Sequence, residues 1–133
     1  MSVKKEHGRH NKEVCDHLNL RSGDLKCNDW IITTAFYSSI HYIDHVLFPC
    51  NYDGKTFKNI NEAHNYINTQ SKHTTRGHLV TKLIPEYKGR YSFLVEESQN
   101  ARYSNYNVND SLARRAITEL DKIAEYCEKH QSK

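Results

Sequence analysis

The chain has 133 residues, which is enough for one hydrophobic core and too few for two. Its net charge of +3 permits nucleic-acid binding. The sequence, however, lacks the dense stripe of basic residues that dedicated nucleic-acid binders usually carry. No apolar run approaches the roughly 20 residues that span a membrane, and the polar start does not resemble a secretory signal. We therefore expect a cytoplasmic protein with a single domain over residues 1–133 and no membrane segment.

The four cysteines are scattered along the chain, at Cys15, Cys27, Cys50 and Cys127. No two of them are close enough in sequence to suggest a zinc knuckle or a redox motif. In a reducing compartment such cysteines are usually small apolar residues in the core or just below the surface. We therefore expect no metal and no cofactor.

Hydrophobic periodicity predicts helices over most of the chain. The predicted helices cover about residues 4–20, 29–48, 60–68, 72–84, 85–103 and 110–130. Gly23 can adopt the left-handed conformation that ends a helix, so we expect the first helix to stop at residues 21–23. Asn28 is expected to be the N-cap residue of the second helix. Asn109 or Asp110 is expected to cap the last helix, after a polar loop at 104–110.

The second predicted helix, residues 29–48, is apolar around most of its circumference, which is typical of a helix at the centre of a bundle. Residues 50–59 are expected to form one loop, with a turn at Asp53 and Gly54. No segment shows the sustained alternation of a strand. The predicted fold class is all-α, an up-and-down bundle of four to five main helices with no sheet.

Polar residues interrupt this central helix at Tyr37, His41, Asp44 and His45, which share one helical face. They are either satisfied polar groups of the core or part of a site. Two His one turn apart can hold a metal, but the Glu of zinc helices is replaced by Tyr42. The other functional reading is acid–base chemistry or ligand binding by His41, because imidazole titrates near neutral pH.

A second cluster occupies residues 72–78, where His73 and Arg76 lie on the first turn of a predicted helix. An anion placed there would meet free backbone N–H groups as well as the guanidinium group of Arg76. The alternative is a solvated basic helix start.

The third cluster contains Ser98, Arg102 and Tyr103, near the end of a long predicted helix. Ser98 and Arg102 are one turn apart and share a face. Arg102 either belongs to a site or satisfies the last carbonyl groups of its helix.

These clusters and their neighbours form one pattern in chain order: Asp29-Trp30, Ala35-Phe36-Tyr37-Ser38-Ser39-Ile40-His41, His73-x-x-Arg76, Tyr91 and Ala101-Arg102-Tyr103. The pattern resembles the small bacterial HEPN-like domains (higher eukaryotes and prokaryotes nucleotide-binding) over about residues 25–127. The resemblance implies a compact helical bundle, often dimeric, that occurs in nucleotide-binding modules and in metal-independent ribonucleases. Many of those ribonucleases act in toxin–antitoxin and anti-phage systems.

The usual catalytic signature of these ribonucleases is an Arg followed by a His after four to six intervening residues. This chain departs from it. Seven residues separate Arg9 from His17, and one separates Arg76 from His78.

The first functional hypothesis is a metal-independent endoribonuclease with a rearranged site. His41 or His73 would deprotonate an RNA 2′-hydroxyl, and Arg76 and Arg102 would stabilise charge on the phosphate. We expect these four catalytic candidates to converge on one polar cleft.

The second hypothesis is a non-catalytic module that binds RNA or a nucleotide. The same groups would then hold a phosphate, with Tyr37 or Tyr103 stacking on a base and Ser98 assisting. The third is a protein-interaction component with a protein partner and a purely structural polar cluster. A homodimer is expected from the resemblance and from the apolar surface that so aromatic a chain leaves.

Overall fold

The structure, a computed structural model, describes residues 3–20, 27–104 and 108–130. The helices are α1 Val3–Leu20, α2 Asn28–Leu47, α3 Ile60–Ile67, α4 Lys72–Leu83, α5 Lys88–Tyr103 and α6 Asp110–Lys129. The other elements are strands β1 Cys50–Tyr52 and β2 Lys55–Phe57 and a 3₁₀ turn at Pro85–Tyr87. The all-α fold class is confirmed. The predicted stop at Gly23 and the middle of the predicted loop 104–110 lie outside the described residues.

The central element is α2, which packs against α1, α5 and α6. More than half of its residues are buried, Ile32, Phe36 and Leu47 among them. The prediction that this helix lies at the centre of the bundle is confirmed. Two aromatic residues leave the core and face solvent: Trp30 is 60% exposed and Tyr37 is 38% exposed.

Helices α1 and α2 approach closely at Gly8. A Cβ atom at this position would lie 2.9 Å from the ring of Tyr42, so only glycine fits. The Ser38 hydroxyl donates to the Gly8 carbonyl at 2.7 Å. The Tyr42 hydroxyl donates to Glu128, whose carboxylate also pairs with Arg9. These contacts join α1, α2 and α6.

The start of α2 differs from the prediction. Cys27 is the N-cap residue and makes no side-chain cap hydrogen bond. Asn28 is already helical, and its side-chain nitrogen donates to the Val108 carbonyl at 3.0 Å and to the Asp110 carboxylate at 2.8 Å. The prediction of Asn28 as a cap is wrong, because its amide instead joins the starts of α2 and α6. The predicted cap at Asn109 is confirmed, since its side chain accepts from a first-turn N–H.

The residues predicted as one loop contain a short hairpin. The register pairs Cys50 with Phe57, Asn51 with Thr56, and Tyr52 with Lys55. The predicted turn at Asp53 and Gly54 is confirmed, and both residues have positive φ, at 53° and 72°. This is the backbone of a two-residue hairpin turn, for which Asp-Gly is a preferred sequence. The expectation of no sheet is therefore wrong at these residues. Among the described helices, none has the length and apolar character needed to cross a membrane.

Candidate functional site

Arg102, in the last turn of α5, lies against three aromatic rings. Its guanidinium carbon is 5.6 Å from the ring centre of Phe36, 5.5 Å from that of Tyr37 and 5.1 Å from that of Tyr103. Its Nη1 donates to the Tyr37 hydroxyl at 2.8 Å, and its Nε donates to the Ser98 carbonyl at 3.2 Å. Within the described part of the chain, Nη2 makes no hydrogen bond. The guanidinium plane is held in place with one edge open.

The residues around Arg102 form an exposed aromatic surface. Tyr103 is 78% exposed, and Trp30 and Tyr37 lie seven residues apart on the same face of α2. Trp30 also lines a small cavity together with Arg102. We call Trp30, Tyr37, Arg102 and Tyr103 the arginine–aromatic surface. Exposed aromatic rings beside a guanidinium plane are a suitable platform for stacking nucleobases.

Arg76 is engaged in the interior and is only 4% exposed. Its Nε donates to Asp44 Oδ1 at 2.7 Å, and its Nη2 donates to Asp44 Oδ2 at 3.1 Å. Burial disfavours the charged guanidinium, but the hydrogen bonds and charge of Asp44 outweigh it and raise the pKa of Arg76 above its ordinary value. A guanidinium group held in this way has no free edge with which to contact a phosphate at the surface.

His73 lies between the buried ion pair and the surface. Its Nδ1 is 3.5 Å from Arg76 Nη1, and its ring meets the Phe36 ring edge-on at 5.1 Å. Because arginine only donates, this geometry assigns Nδ1 as the acceptor and leaves the proton on Nε2. Burial, and then the charges of Arg76 and Arg102, lower the pKa of His73. His73 is therefore suited to donate a hydrogen bond through Nε2 rather than to take a proton.

His41 lies under α1. Its ring stacks on that of His7, with centroids 3.7 Å apart and planes 18° apart. Its Nδ1 is buried without a hydrogen-bond partner among the described residues. Burial, followed by the charges of His7 and Lys4, lowers the pKa of His41 to about 4, although Asp44 opposes the shift. His41 is neutral at pH 7 and is covered by a helix.

Three of the four predicted catalytic residues are brought together. His73 contacts Arg76, and both His73 and Arg102 pack on the ring of Phe36. His41 instead stacks on α1. The ion pair with Asp44 keeps Arg76 buried, so the arginine of this cluster that a ligand can reach is Arg102, which is partly exposed.

The three predicted binding residues have different environments. Tyr37 and Tyr103 belong to the arginine–aromatic surface. Ser98 is 0% exposed, and its hydroxyl donates to the Val95 carbonyl at 3.0 Å, so it cannot contact a ligand in this fold. Sequence reasoning did not assign Trp30 to the site. Its spacing of two turns from Tyr37 was the signal for a shared face.

A groove of about 480 Å³ lies between α4 and α5. His73 lines it together with Thr74, His78, Lys88 and Gln99. Its size is that of a small-molecule site, for which about 300–1,000 Å³ is usual. Because His73 also contacts Phe36, this polar groove adjoins the residues that support Arg102.

Among the described residues, no three His, Cys, Asp or Glu side chains are placed to hold a metal ion. Comparison with known proteins found no match for the chain among family models, curated proteins or solved structures. The fold and the site define a class: an all-α helical domain with an arginine held among three aromatic rings, two of which are exposed. The similarity to HEPN-like domains stays a prediction.

Proposed function

We propose that this protein is a HEPN-like domain that binds RNA or a nucleotide on the arginine–aromatic surface without cleaving it. The observation that carries this proposal is the position of Arg102, which is held among three rings with Nη2 open. Unpaired bases stack on aromatic rings and on guanidinium planes, and one such contact contributes about 1–3 kcal/mol. The guanidinium charge also attracts the phosphate backbone.

The site is organised before a ligand arrives. Two hydrogen bonds and the underlying Phe36 ring hold Arg102, so little side-chain freedom remains to be lost on binding. Tyr37 is fixed by the same contact with Arg102, whereas Tyr103 stands further into solvent. Stacking does not depend on base identity, because every base has a π-face. With a net charge of only +3, stacking is expected to contribute more than general attraction to phosphates.

The test compares two arginine variants in binding to labelled single-stranded RNA in EDTA. Arg102→Ala removes the proposed contact. Arg115→Ala is the control, because Arg115 is exposed and its guanidinium carbon also lies against an aromatic ring, 4.0 Å from the ring centre of Phe93. Both changes remove one positive charge, but Arg102→Ala removes contacts with three rings and Arg115→Ala removes a contact with one. We expect Arg102→Ala to weaken binding about tenfold, or roughly 1.4 kcal/mol. Equal losses of binding affinity in the two variants would show that only the change in net charge matters, which would overturn the proposal.

A metal-independent ribonuclease is the second candidate, because the imidazole of His73 and the guanidinium group of Arg102 pack on the same ring, that of Phe36. Two observations weigh against it. Arg76 is engaged by Asp44, and the Nδ1 of His73 already faces a donor. We therefore expect labelled RNA to be retained without cleavage in EDTA. Products with 2′,3′-cyclic phosphate ends would favour the ribonuclease over RNA binding without cleavage.

We also propose a cytoplasmic homodimer. None of the four described cysteines forms a disulfide bond, as is usual in a reducing compartment. Val3 and Val14, which lie about three turns apart on one face of α1, expose apolar surface that a second copy would cover. We expect sedimentation to give about twice 15.6 kDa at tens of micromolar protein. A 15.6 kDa species throughout that range would contradict the dimer and favour a different protein partner for this face.

A further inference from the structure

A small cavity beside Arg102 combines three kinds of chemistry. It has a volume of about 170 Å³ and is lined by Asp29, Trp30, Thr33, Ala101 and Arg102. The first turn of α2 supplies Asp29 and Trp30, and the last turn of α5 supplies Arg102. The start of one helix and the end of another thus bring a carboxylate, an indole ring and a guanidinium group to one space. Sites that hold a whole small-molecule ligand usually have volumes of roughly 300–1,000 Å³. This cavity is smaller, and its volume suits a single planar ring system.

The groups that line this cavity are available to a ligand. The carboxylate of Asp29 makes no hydrogen bond and no ion pair with any described residue. The Thr33 hydroxyl is engaged, because it donates to the Asp29 backbone carbonyl at 2.8 Å. Ala101 is small and buried, so Trp30 is the largest apolar residue in the lining. The residues that line the cavity therefore include a carboxylate and a guanidinium nitrogen that have no hydrogen-bond partner among the described residues, together with one indole ring.

A structural role explains only part of this arrangement. Asp29 in the first turn of α2 interacts favourably with the helix dipole, which is worth about 0.3–1 kcal/mol at an exposed site. That effect does not require an indole ring on the surface, and it does not require Arg102 to share the cavity. Recognition of one ligand accounts for all three features together.

The donor and acceptor pattern of the cavity matches one nucleobase. Guanine carries N1–H and N2–H side by side, and the two oxygens of a carboxylate can accept both. Its O6 and N7 atoms are acceptors for a guanidinium group. Adenine, cytosine and uracil do not present two adjacent donor groups to a carboxylate. A guanine base is therefore the ligand that satisfies both charged groups.

We propose that this cavity binds a guanine base of the RNA ligand. Asp29 accepts from N1–H and N2–H, Arg102 Nη2 donates to O6, and the indole of Trp30 stacks on the purine ring. This assignment rests on the proposed function, because it places one base of an RNA that the arginine–aromatic surface holds. It adds base specificity to a surface that would otherwise stack any base.

The first experiment measures binding of short oligoadenylates that differ only at one central position. That position carries adenine, guanine, or hypoxanthine, which keeps N1–H and O6 but lacks the 2-amino group. We expect guanine to bind about tenfold more tightly than adenine, with hypoxanthine between them. Equal binding of all three oligomers would overturn the guanine assignment and leave the proposed function intact. Binding of none would overturn both.

The second experiment changes the acceptor. Asp29→Ala is expected to abolish the guanine preference, measured as the ratio of the guanine and all-adenine affinities of the same variant, so that any effect of the lost negative charge cancels. Asp29→Asn replaces one acceptor by a donor, which suits xanthine because xanthine has a carbonyl in place of the 2-amino group. We expect the preference to move from guanine to xanthine, a result that a structural role would not produce. A guanine preference that survives both substitutions would overturn the role of this cavity.

Discussion

Asp44 and Arg76 form a buried, two-point ion pair that joins α2 to α4. Both side chains are buried, and the two contacts measure 2.7 Å and 3.1 Å. A pair of this kind is geometrically specific, and removal of one partner leaves the other charge desolvated and unpaired. The consequence for function is that Arg76 joins two helices beneath the surface, while Arg102 is partly exposed and its Nη2 has no hydrogen-bond partner among the described residues.

Arg76→Ala is expected to lower the free energy of unfolding by about 3–5 kcal/mol, because Asp44 would remain buried without a partner. Urea denaturation measures the loss. The matched control is Arg90→Ala, which breaks a partly exposed pair with Glu119 and should cost about 0–1 kcal/mol. Similar losses of unfolding free energy in the two variants would show that the buried ion pair contributes no more to stability than the partly exposed one.

Substitution of two helical glycines should change stability in opposite directions. Gly8→Ala places a methyl group 2.9 Å from the Tyr42 ring, and overpacking of this kind costs about 1–3 kcal/mol. The usual helical gain of alanine over glycine, about 1 kcal/mol, offsets only part of that cost. Gly89→Ala meets nothing within 4 Å and should stabilise the protein by about 0.5 kcal/mol. Thermal melting of both variants checks the prediction, and a stabilised Gly8→Ala would refute the close approach of α1 to α2.

The burial of His41 predicts a loss of stability in acid. Its pKa is lowered from 6.5 to about 4 by burial and by the charges of His7 and Lys4. Between these two values the unfolded chain binds more protons than the folded one, so the free energy of unfolding falls as the pH drops through that range. The contribution is fully present above pH 6.5.

His45 and His73 also have lowered pKa values and add to the same slope. The contribution of His41 is therefore measured as a difference. His41→Phe keeps a ring that stacks on His7 and should flatten the pH dependence, measured by urea denaturation at a series of pH values. The exposed His10→Phe serves as the control. A His41→Phe variant with the parental slope would contradict the prediction.

Tyr37→Phe isolates the hydrogen bond that positions Arg102. The ring remains and only the hydroxyl, which accepts from Nη1 at 2.8 Å, is lost. We expect RNA binding to weaken about threefold to tenfold, in line with the roughly 0.5–1.5 kcal/mol of one hydrogen bond. The melting temperature should change little, because the group is at the surface. Tyr66→Phe, another exposed tyrosine, should leave binding unchanged, and an equal effect there would contradict the positioning role.

The local pattern of apolar and polar residues was sufficient to predict most of the fold. The apolar circumference of residues 29–48 predicted a central helix because burial on all sides leaves few polar positions. The hairpin at 50–57 was missed, although Asp53 and Gly54 were recognised as a turn. Its strands are three residues each, which is too short for alternation to be visible, and the pairing depends on contacts across the turn.

By itself, the sequence determined the helical class, the positions of the main helices and the identity of the unusual polar residues. It also placed Tyr37 and His41 on one face, because helical spacing is a local property. It could not separate Arg76 from Arg102, since each is an arginine near one end of a helix. The tertiary structure decided this by placing Asp44, 32 residues away along the chain, against Arg76, and the aromatic rings against Arg102. Long-range packing alone sets which charge is desolvated and paired and which stays open to a ligand.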